Sequence, residues 1–92
     1  MEIGQMIVKT PGTCGGRARV AGKRIPVSSV YRWFLRGCEP EDILQKFDGL
    51  ALAEIYAAVS HALSNLEEIT REIEREDHLT AQASQTASVS AA

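Results

Sequence analysis

A heptad-like pattern of apolar residues constrains the fold of this chain more than any other sequence feature. It predicts one long helix that begins near Ala51 or Leu52 and continues to Asp77. One row of the pattern is Leu52, Val59, Leu66 and Ile73, and the other is Ile55, Ala62 and Ile69. About 25 helical residues span nearly 40 Å, which is more than two short helices can cover.

The second half of this helix therefore needs a partner, most simply a second copy of the chain, which predicts a homodimer. The residues expected to contact that dimer mate or another protein are Val59, Leu63, Leu66, Ile69 and Ile73. The alternative is a solvated helix that frays beyond Asn65.

Two shorter helices precede the long one. Ser28 or Ser29 can cap the first, and Gly37 can end it as a C′ glycine. The second helix is predicted over Pro40–Phe47, because proline favours the first helical position. Asp48–Leu50 then forms a turn into the third helix. Two short helices, a tight turn and a third helix predict a mainly α fold with a helix-turn-helix.

The N-terminal residues predict a short β-hairpin in front of the helices. Residues 6–8 are a short strand candidate, and residues 17–20 alternate between polar and apolar side chains. Residues 21–23 are a turn candidate, and residues 24–27 a return strand. Residues 1–77 are thus predicted to form a single helix-turn-helix domain with an N-terminal β-hairpin.

Residues 78–92 consist almost entirely of Ala, Ser, Thr and Gln. So few larger apolar groups cannot offset the entropy of ordering, which predicts a tail that is disordered when free. No apolar run approaches the roughly 18 residues of a membrane span, and no signal peptide is recognisable. Neither cysteine belongs to a CxxC pair. We expect a cytoplasmic protein.

The net charge of −2 conceals an uneven distribution. Residues 1–38 hold seven cations against one carboxylate, whereas residues 39–92 hold three against eleven. Such asymmetry favours an anionic partner for the basic part. The predicted DNA-contacting residues are Arg17, Arg19, Lys23, Arg24, Arg32 and Arg36. The alternative is that the two parts neutralise each other within the fold or across a dimer.

Catalytic and cofactor chemistry find little support in the sequence. His61 and His78 are far apart, and no Ser–His–Asp or Cys–His constellation is visible. The two cysteines and two histidines lack the spacing of metal ligands. Gly16 and Gly22-Lys23 miss the phosphate-loop spacing by one residue, and no Ser or Thr follows. We predict a binding protein without enzymatic activity, metal or cofactor.

Many spaced elements together resemble the domain of unknown function 433 family. They are Ile7 to Gly12, Cys14-Gly15-Gly16-Arg17, Gly22, Arg24-Ile25-Pro26-Val27, Phe34-Leu35, Gly37, Pro40 to Leu44, Phe47, Leu50, Glu54-Ile55 and Ala57-Ala58. The resemblance covers about Ile7 to Leu63. The sequence departs from the family pattern at Ala18, Lys23 and Ala51. At Ala51 the usual hydroxyl cap of the third helix is absent. This loss costs about 1 kcal/mol and predicts a loose helix start.

The resemblance implies a three-helix, homeodomain-like helix-turn-helix and an antitoxin role. Members are typically prokaryotic and often encoded beside a PIN-like ribonuclease toxin. Two hypotheses follow. The first is an antitoxin-like DNA-binding dimer whose acidic helix and tail capture the toxin. The second is a protein-interaction module without DNA binding, because no Lys or Arg lies between Lys46 and Arg71 on the helix that would read DNA.

Overall fold

Two short strands precede four α-helices within residues 5–91. The computed structural model describes the backbone of this range and the side chains of residues 5–81. The strands are β1 (Ile7–Val8) and β2 (Arg19–Val20), and the helices are α1 (Val27–Leu35), α2 (Pro40–Leu44), α3 (Leu52–Ser64) and α4 (Leu66–Ala91). The predicted mainly helical fold with a short N-terminal β-structure is confirmed.

The strand pairing differs from the predicted hairpin. β1 pairs antiparallel with β2, with Ile7 opposite Val20. The expected return strand, residues 24–27, contributes an isolated bridge between Arg19 and Pro26. The Val20 N–H donates to the Ile25 carbonyl at 3.0 Å and the Val27 N–H donates to the Ala18 carbonyl at 2.9 Å, so hydrogen bonds lie on both sides of this bridge. Val27 then begins α1 instead of extending the sheet.

Helix α1 begins two or three residues earlier than the predicted serine caps allow. Pro26 occupies the N-cap position, and Ser28 lies inside the helix with its side chain fully buried. Gly37 adopts a φ of +92° just after the helix, as expected of a terminating glycine. Pro40 begins α2 as predicted, but α2 ends at Leu44 and not at Phe47.

Helix α3 begins at Leu52, as predicted, and the missing hydroxyl cap is compensated. The Glu54 carboxylate accepts a hydrogen bond from the Ala51 backbone N–H at 2.8 Å, which satisfies one of the free donors at the helix start. This bond is the largest of the causes that lower the pKa of Glu54. The expected loose start is therefore wrong.

The predicted single helix from residue 52 to 77 is also wrong, because it breaks at Asn65. This residue has φ −135° and ψ 44°, outside helical geometry, and its side-chain amide donates to the His61 carbonyl at 2.9 Å. The break lets α4 pack against α1, where Ile69 is fully buried and Ile73 half-buried. Burial of these two side chains offsets the cost of one interrupted helical turn.

Helix α4 continues through most of the residues that were expected to form a disordered tail. Its backbone is helical to Ala91. Residues 66–91 contain no Gly or Pro, the two residue types that oppose a helix most strongly. Residue 92 and the side chains beyond residue 81 lie outside the described part of the chain.

The hydrophobic core lies where α1, α3 and β2 meet, and α2 and α4 cover its sides. Its buried members are Ala18, Val20, Val27, Val30, Tyr31, Ile43, Leu50, Ile55, Ala58, Val59, Ala62 and Ile69. Among residues 5–91, no helix combines the length and apolar character that a membrane crossing requires.

Candidate functional site

The basic part of the chain and the acidic helix α4 lie against each other. We call residues 9–36 the basic segment, and Glu68, Glu72 and Glu76 the acidic row of α4. Members of this row are four residues apart, so they share one face of the helix. Lys9 of the basic segment forms an ion pair with Glu68 at one end of the row. The two oppositely charged regions therefore neutralise each other within one chain, at least in part.

Glu76 joins α4 to three donors of the basic segment. Its Oε1 accepts hydrogen bonds from Arg17 Nη1 and, at 3.0 Å, from the buried Ser28 hydroxyl. Its Oε2 accepts from Arg32 Nη2 at 3.1 Å, and Arg32 Nη2 also donates to Asp77 Oδ1 at 2.8 Å. The bond to Asp77 is the largest cause that raises the pKa of Arg32. Two arginines predicted to contact DNA are thus held by carboxylates of their own chain.

The turn between β2 and α1 engages two more of the predicted DNA-contacting residues. Lys23 Nζ donates to both carboxylate oxygens of Glu54 on α3, at 3.0 and 3.1 Å. Arg19 donates to the Lys23 carbonyl and to the Thr10 hydroxyl, each at 3.0 Å. These contacts fix the turn against the start of α3. They leave Lys23 and Arg19 with fewer free donors for an outside partner.

Arg24 and Arg36 are the predicted DNA-contacting residues that stay exposed, and neither forms an ion pair within residues 5–81. The Arg36 guanidinium lies 5.0 Å from the centre of the Trp33 ring, and Lys46 Nζ lies 4.9 Å from the same ring. Lys46 and Trp33 were not among the predicted site residues. The i,i+3 spacing of Trp33 and Arg36 was a visible signal, whereas the approach of Lys46 depends on the turn after α2.

The exposed face of α3 carries no charge. We call Ala53, Tyr56, Ser60 and Ser64 the α3 face, because they follow one side of the helix and all are exposed. Tyr56 is 49% exposed and donates a hydrogen bond to Glu41 at 3.1 Å. That bond is the largest cause that raises the pKa of Tyr56. Such a face offers no cation to a phosphate backbone.

The five residues predicted to face a partner divide into two groups. Val59 and Ile69 are buried in the core of the same chain, and Ile73 packs against that core. In the folded-back chain α4 turns at Asn65, and the core of the same chain covers these three side chains. Leu63 and Leu66 are 50% and 47% exposed, on either side of the break.

Glu72, the middle member of the acidic row, has a buried carboxylate. Both carboxylate oxygens of Glu72 and the Nε2 atom of His61 are buried without a hydrogen-bond partner among the described residues. Burial is the largest cause that raises the pKa of Glu72, and the nearby Glu68 adds to it. Burial also lowers the pKa of His61. Among these residues, no three His, Cys, Asp or Glu side chains gather as metal ligands.

The outward surface of α4 is mixed in charge. Glu67, Glu74 and Asp77 are exposed there, but so are Arg71 and Arg75. Arg71 and Glu67 form an ion pair at 3.0 Å. Because the acidic row faces inward, the described part of α4 presents a surface of mixed charge.

Comparisons with known proteins identify one family. The model of a family described as "Protein of unknown function (DUF433)" matches residues 7–62, which run from β1 into α3 and stop before α4. The crystal structure of a DUF433 member protein from Anabaena variabilis ATCC 29413 superposes with a TM-score of 0.69 at 36% sequence identity. The match covers 76% of this chain and 69% of that chain. No curated protein matches.

Proposed function

This chain belongs to the DUF433 family, and from that premise we propose that it is the antitoxin of a toxin–antitoxin pair, a protein-interaction module that captures a PIN-like ribonuclease toxin. The role is one of binding, without catalysis, metal or cofactor. The proposed setting is the cytoplasm of a prokaryotic cell. The resemblance of residues 7–63 to the family supports the antitoxin role, and the surfaces of the molecule support protein binding over DNA binding.

The observation that carries this choice is the engagement of the basic segment within the chain. Arg17, Lys23 and Arg32 pair with carboxylates of α3 and α4, and Arg19 donates to the turn beside it. Cations supply most of the affinity for a phosphate backbone. A chain that neutralises its own cations is poorly suited to grip DNA.

The α3 face is the surface that we assign to the toxin. The family resemblance would make α3 the DNA-reading helix of a helix-turn-helix, yet this face is neutral and carries the half-exposed Tyr56. Tyrosine is enriched among the residues that dominate protein interfaces, because it buries a large area with little loss of entropy. Small side chains at Ala53, Ser60 and Ser64 allow another protein to approach the helix backbone closely.

Co-expression with the product of the adjacent reading frame tests the proposal. We expect a complex that survives 0.5 M NaCl and that inhibits the ribonuclease activity of the partner. The substitution Ser60→Arg places a bulky charge at the centre of the α3 face and should weaken the complex at least tenfold. Thr70→Arg adds the same charge at an exposed position of α4 and serves as the matched control.

The proposal fails if no complex forms with a PIN-like product of that reading frame. It also fails in its assignment of the α3 face if Ser60→Arg and Thr70→Arg weaken the complex equally. Circular dichroism of both variants establishes that each is folded.

A second candidate function, DNA binding, is favoured by one observation. Arg36 and Lys46 flank Trp33 on an exposed surface, and Arg24 is also exposed. Three accessible cations per chain predict a slope of log K against log salt concentration near −2.7, whereas the six residues predicted from the sequence give about −5.4. A fluorescence-anisotropy titration on duplex DNA at several salt concentrations separates these values. Absence of binding at low salt removes the DNA role.

A further inference from the structure

The junction of α3 and α4 is a hinge of one residue. Each helix contributes one hydrogen bond at this residue: the Asn65 N–H donates to the Ala62 carbonyl at 3.1 Å at the end of α3, and the Ile69 N–H donates to the Asn65 carbonyl at 3.0 Å at the start of α4. Rotation of this one residue by about 70° in φ and about 85° in ψ, from −135° and 44° to helical values, makes residues 52–91 one continuous helix. Short hinges of this kind favour exchange of the element that follows them, because one chain has little room to turn back.

The apolar pattern of the sequence runs through this hinge without a shift in phase. Leu66 belongs to the row of Leu52, Val59 and Ile73, yet it is 47% exposed while Val59 is buried. Leu63 is 50% exposed and lies three residues before Leu66, so the two side chains would share a face of a continuous helix. We call this pair the hinge leucines. In the folded-back chain they face solvent, which costs apolar burial that a straight helix pair would recover.

The contacts that hold α4 can form equally well between two chains. The basic segment offers Arg17 and Arg32, and α4 offers Glu76 and Asp77. Ile69 supplies the buried apolar anchor. None of these contacts depends on the residues that cross the hinge. If α4 came from a second copy, the same ion pairs and the same apolar contacts would be present.

We propose that two copies of this chain exchange α4. Asn65 becomes helical in each copy, and α4 of one copy covers the basic segment of the other. The two straightened hinges then pass each other at the dimer axis, where the hinge leucines of both copies pack together. This interaction surface concerns only copies of this chain and does not depend on the proposed toxin partner or on DNA.

Complementary charge reversal tests the exchange. One chain carries Arg17→Glu and Arg32→Glu, and a second, differently tagged chain carries Glu76→Arg and Asp77→Arg. Alone, each chain has repulsive contacts whether α4 docks on its own body or on an identical copy. When the two are mixed, only the exchanged heterodimer brings the substituted carboxylates of one chain against the substituted guanidinium groups of the other.

Native mass spectrometry of the mixture reads out the result. We expect a 1:1 heterodimer of twice the 10.0 kDa chain mass, in at least tenfold excess over either homodimer. If the mixture contains no such heterodimer, or if hetero- and homodimers form in statistical proportions, exchange of α4 does not occur. Native mass spectrometry of the wild-type chain provides a test that does not require folding of the charge variants: the exchange requires a dimer, and a chain that stays monomeric overturns it.

Hinge variants supply an independent measurement. Asn65→Ala favours the helical hinge and removes the bond to the His61 carbonyl, and since a dimer has two hinges its dissociation constant should fall about tenfold. Insertion of Gly-Ser-Gly-Ser after Asn65 lengthens the hinge and should raise that constant at least tenfold. Size-exclusion chromatography with light scattering gives both values. Equal association of the two variants would contradict the proposal.

Discussion

The substitution Glu76→Ala probes the docking of α4 most directly, because one carboxylate receives three donors. It accepts hydrogen bonds from Arg17, Arg32 and the buried hydroxyl of Ser28. We expect the variant to lose about 2 kcal/mol of unfolding free energy, measured at concentrations where the chain is monomeric.

This magnitude follows from the exposure of the groups. The Glu76 side chain is 28% exposed and those of Arg17 and Arg32 are 34% and 30% exposed, so solvent screens both ion pairs in part. Each pair then contributes about 0.5 kcal/mol, near the middle of the range for accessible pairs. Ser28 is fully buried, and loss of its acceptor costs about 1 kcal/mol more.

Urea denaturation followed by circular dichroism at 222 nm measures this loss. Glu74→Ala is the matched control: it removes the same charge from the same helix at an exposed position, and we expect a change within about 0.5 kcal/mol. Equal stability of the two variants would refute the docking of α4 on the basic segment. Glu76→Gln, which keeps an acceptor for Ser28, should fall between them.

Two further predictions concern the interior of the same interface. Ile69→Ala should lower the unfolding free energy by about 3 kcal/mol because the side chain is fully buried, whereas Leu66→Ala should change it by less than about 0.5 kcal/mol in the monomer. Equal losses in urea denaturation would contradict the burial of Ile69 and the exposure of Leu66. Glu72→Gln should raise the urea midpoint at pH 7 but not at pH 4. Burial raises the pKa of Glu72 above its usual 4.5, so its charge costs stability only as the pH rises through and beyond that range, and a gain of equal size at both pH values would contradict this.

Local chemistry explains which elements could be predicted from the sequence. Gly37, Pro40 and Asp48-Gly49 act on the backbone within a residue or two, so the end of α1 and the starts of α2 and α3 follow from them. The strand pairing was harder to predict from the sequence than these helix boundaries. β2 pairs with β1 on one side, and residues 18–20 bond with residues 25–27 on the other; the alternation of side chains does not show that the second pairing stops where α1 begins.

The break at Asn65 could not be predicted, because its cause is tertiary. Asparagine is a mediocre helix former, but the apolar rows continue through it and favour one straight helix. The gain that bends the chain comes from Ile69 and Glu76. Glu76 bonds to Ser28 and Arg32 of α1, which lie more than 40 positions away in the sequence. An apolar row shows that a face is buried. It does not show whether the covering surface belongs to the same chain or to another.

The charge distribution has the same ambiguity. A basic segment and an acidic helix favour an external anion as readily as they favour each other, and both interpretations followed from the composition. The contacts of Arg17, Lys23 and Arg32 show the second arrangement. Arg24 and Arg36 stay available, and Lys46 joins Arg36 at Trp33 only because the turn after α2 brings it there.

The central claim is that α4 masks the cations of the basic segment, and one titration tests it. The double variant Glu76→Ala, Asp77→Ala releases Arg17 and Arg32, so binding to duplex DNA should tighten and the slope of log K against log salt should steepen by about 1.8 per chain. The control Asp48→Ala, Glu74→Ala removes the same charge from exposed positions that form no ion pair within residues 5–81, and it should leave the slope of the wild type unchanged. Equal slopes for the two double variants would contradict the masking of Arg17 and Arg32 by α4.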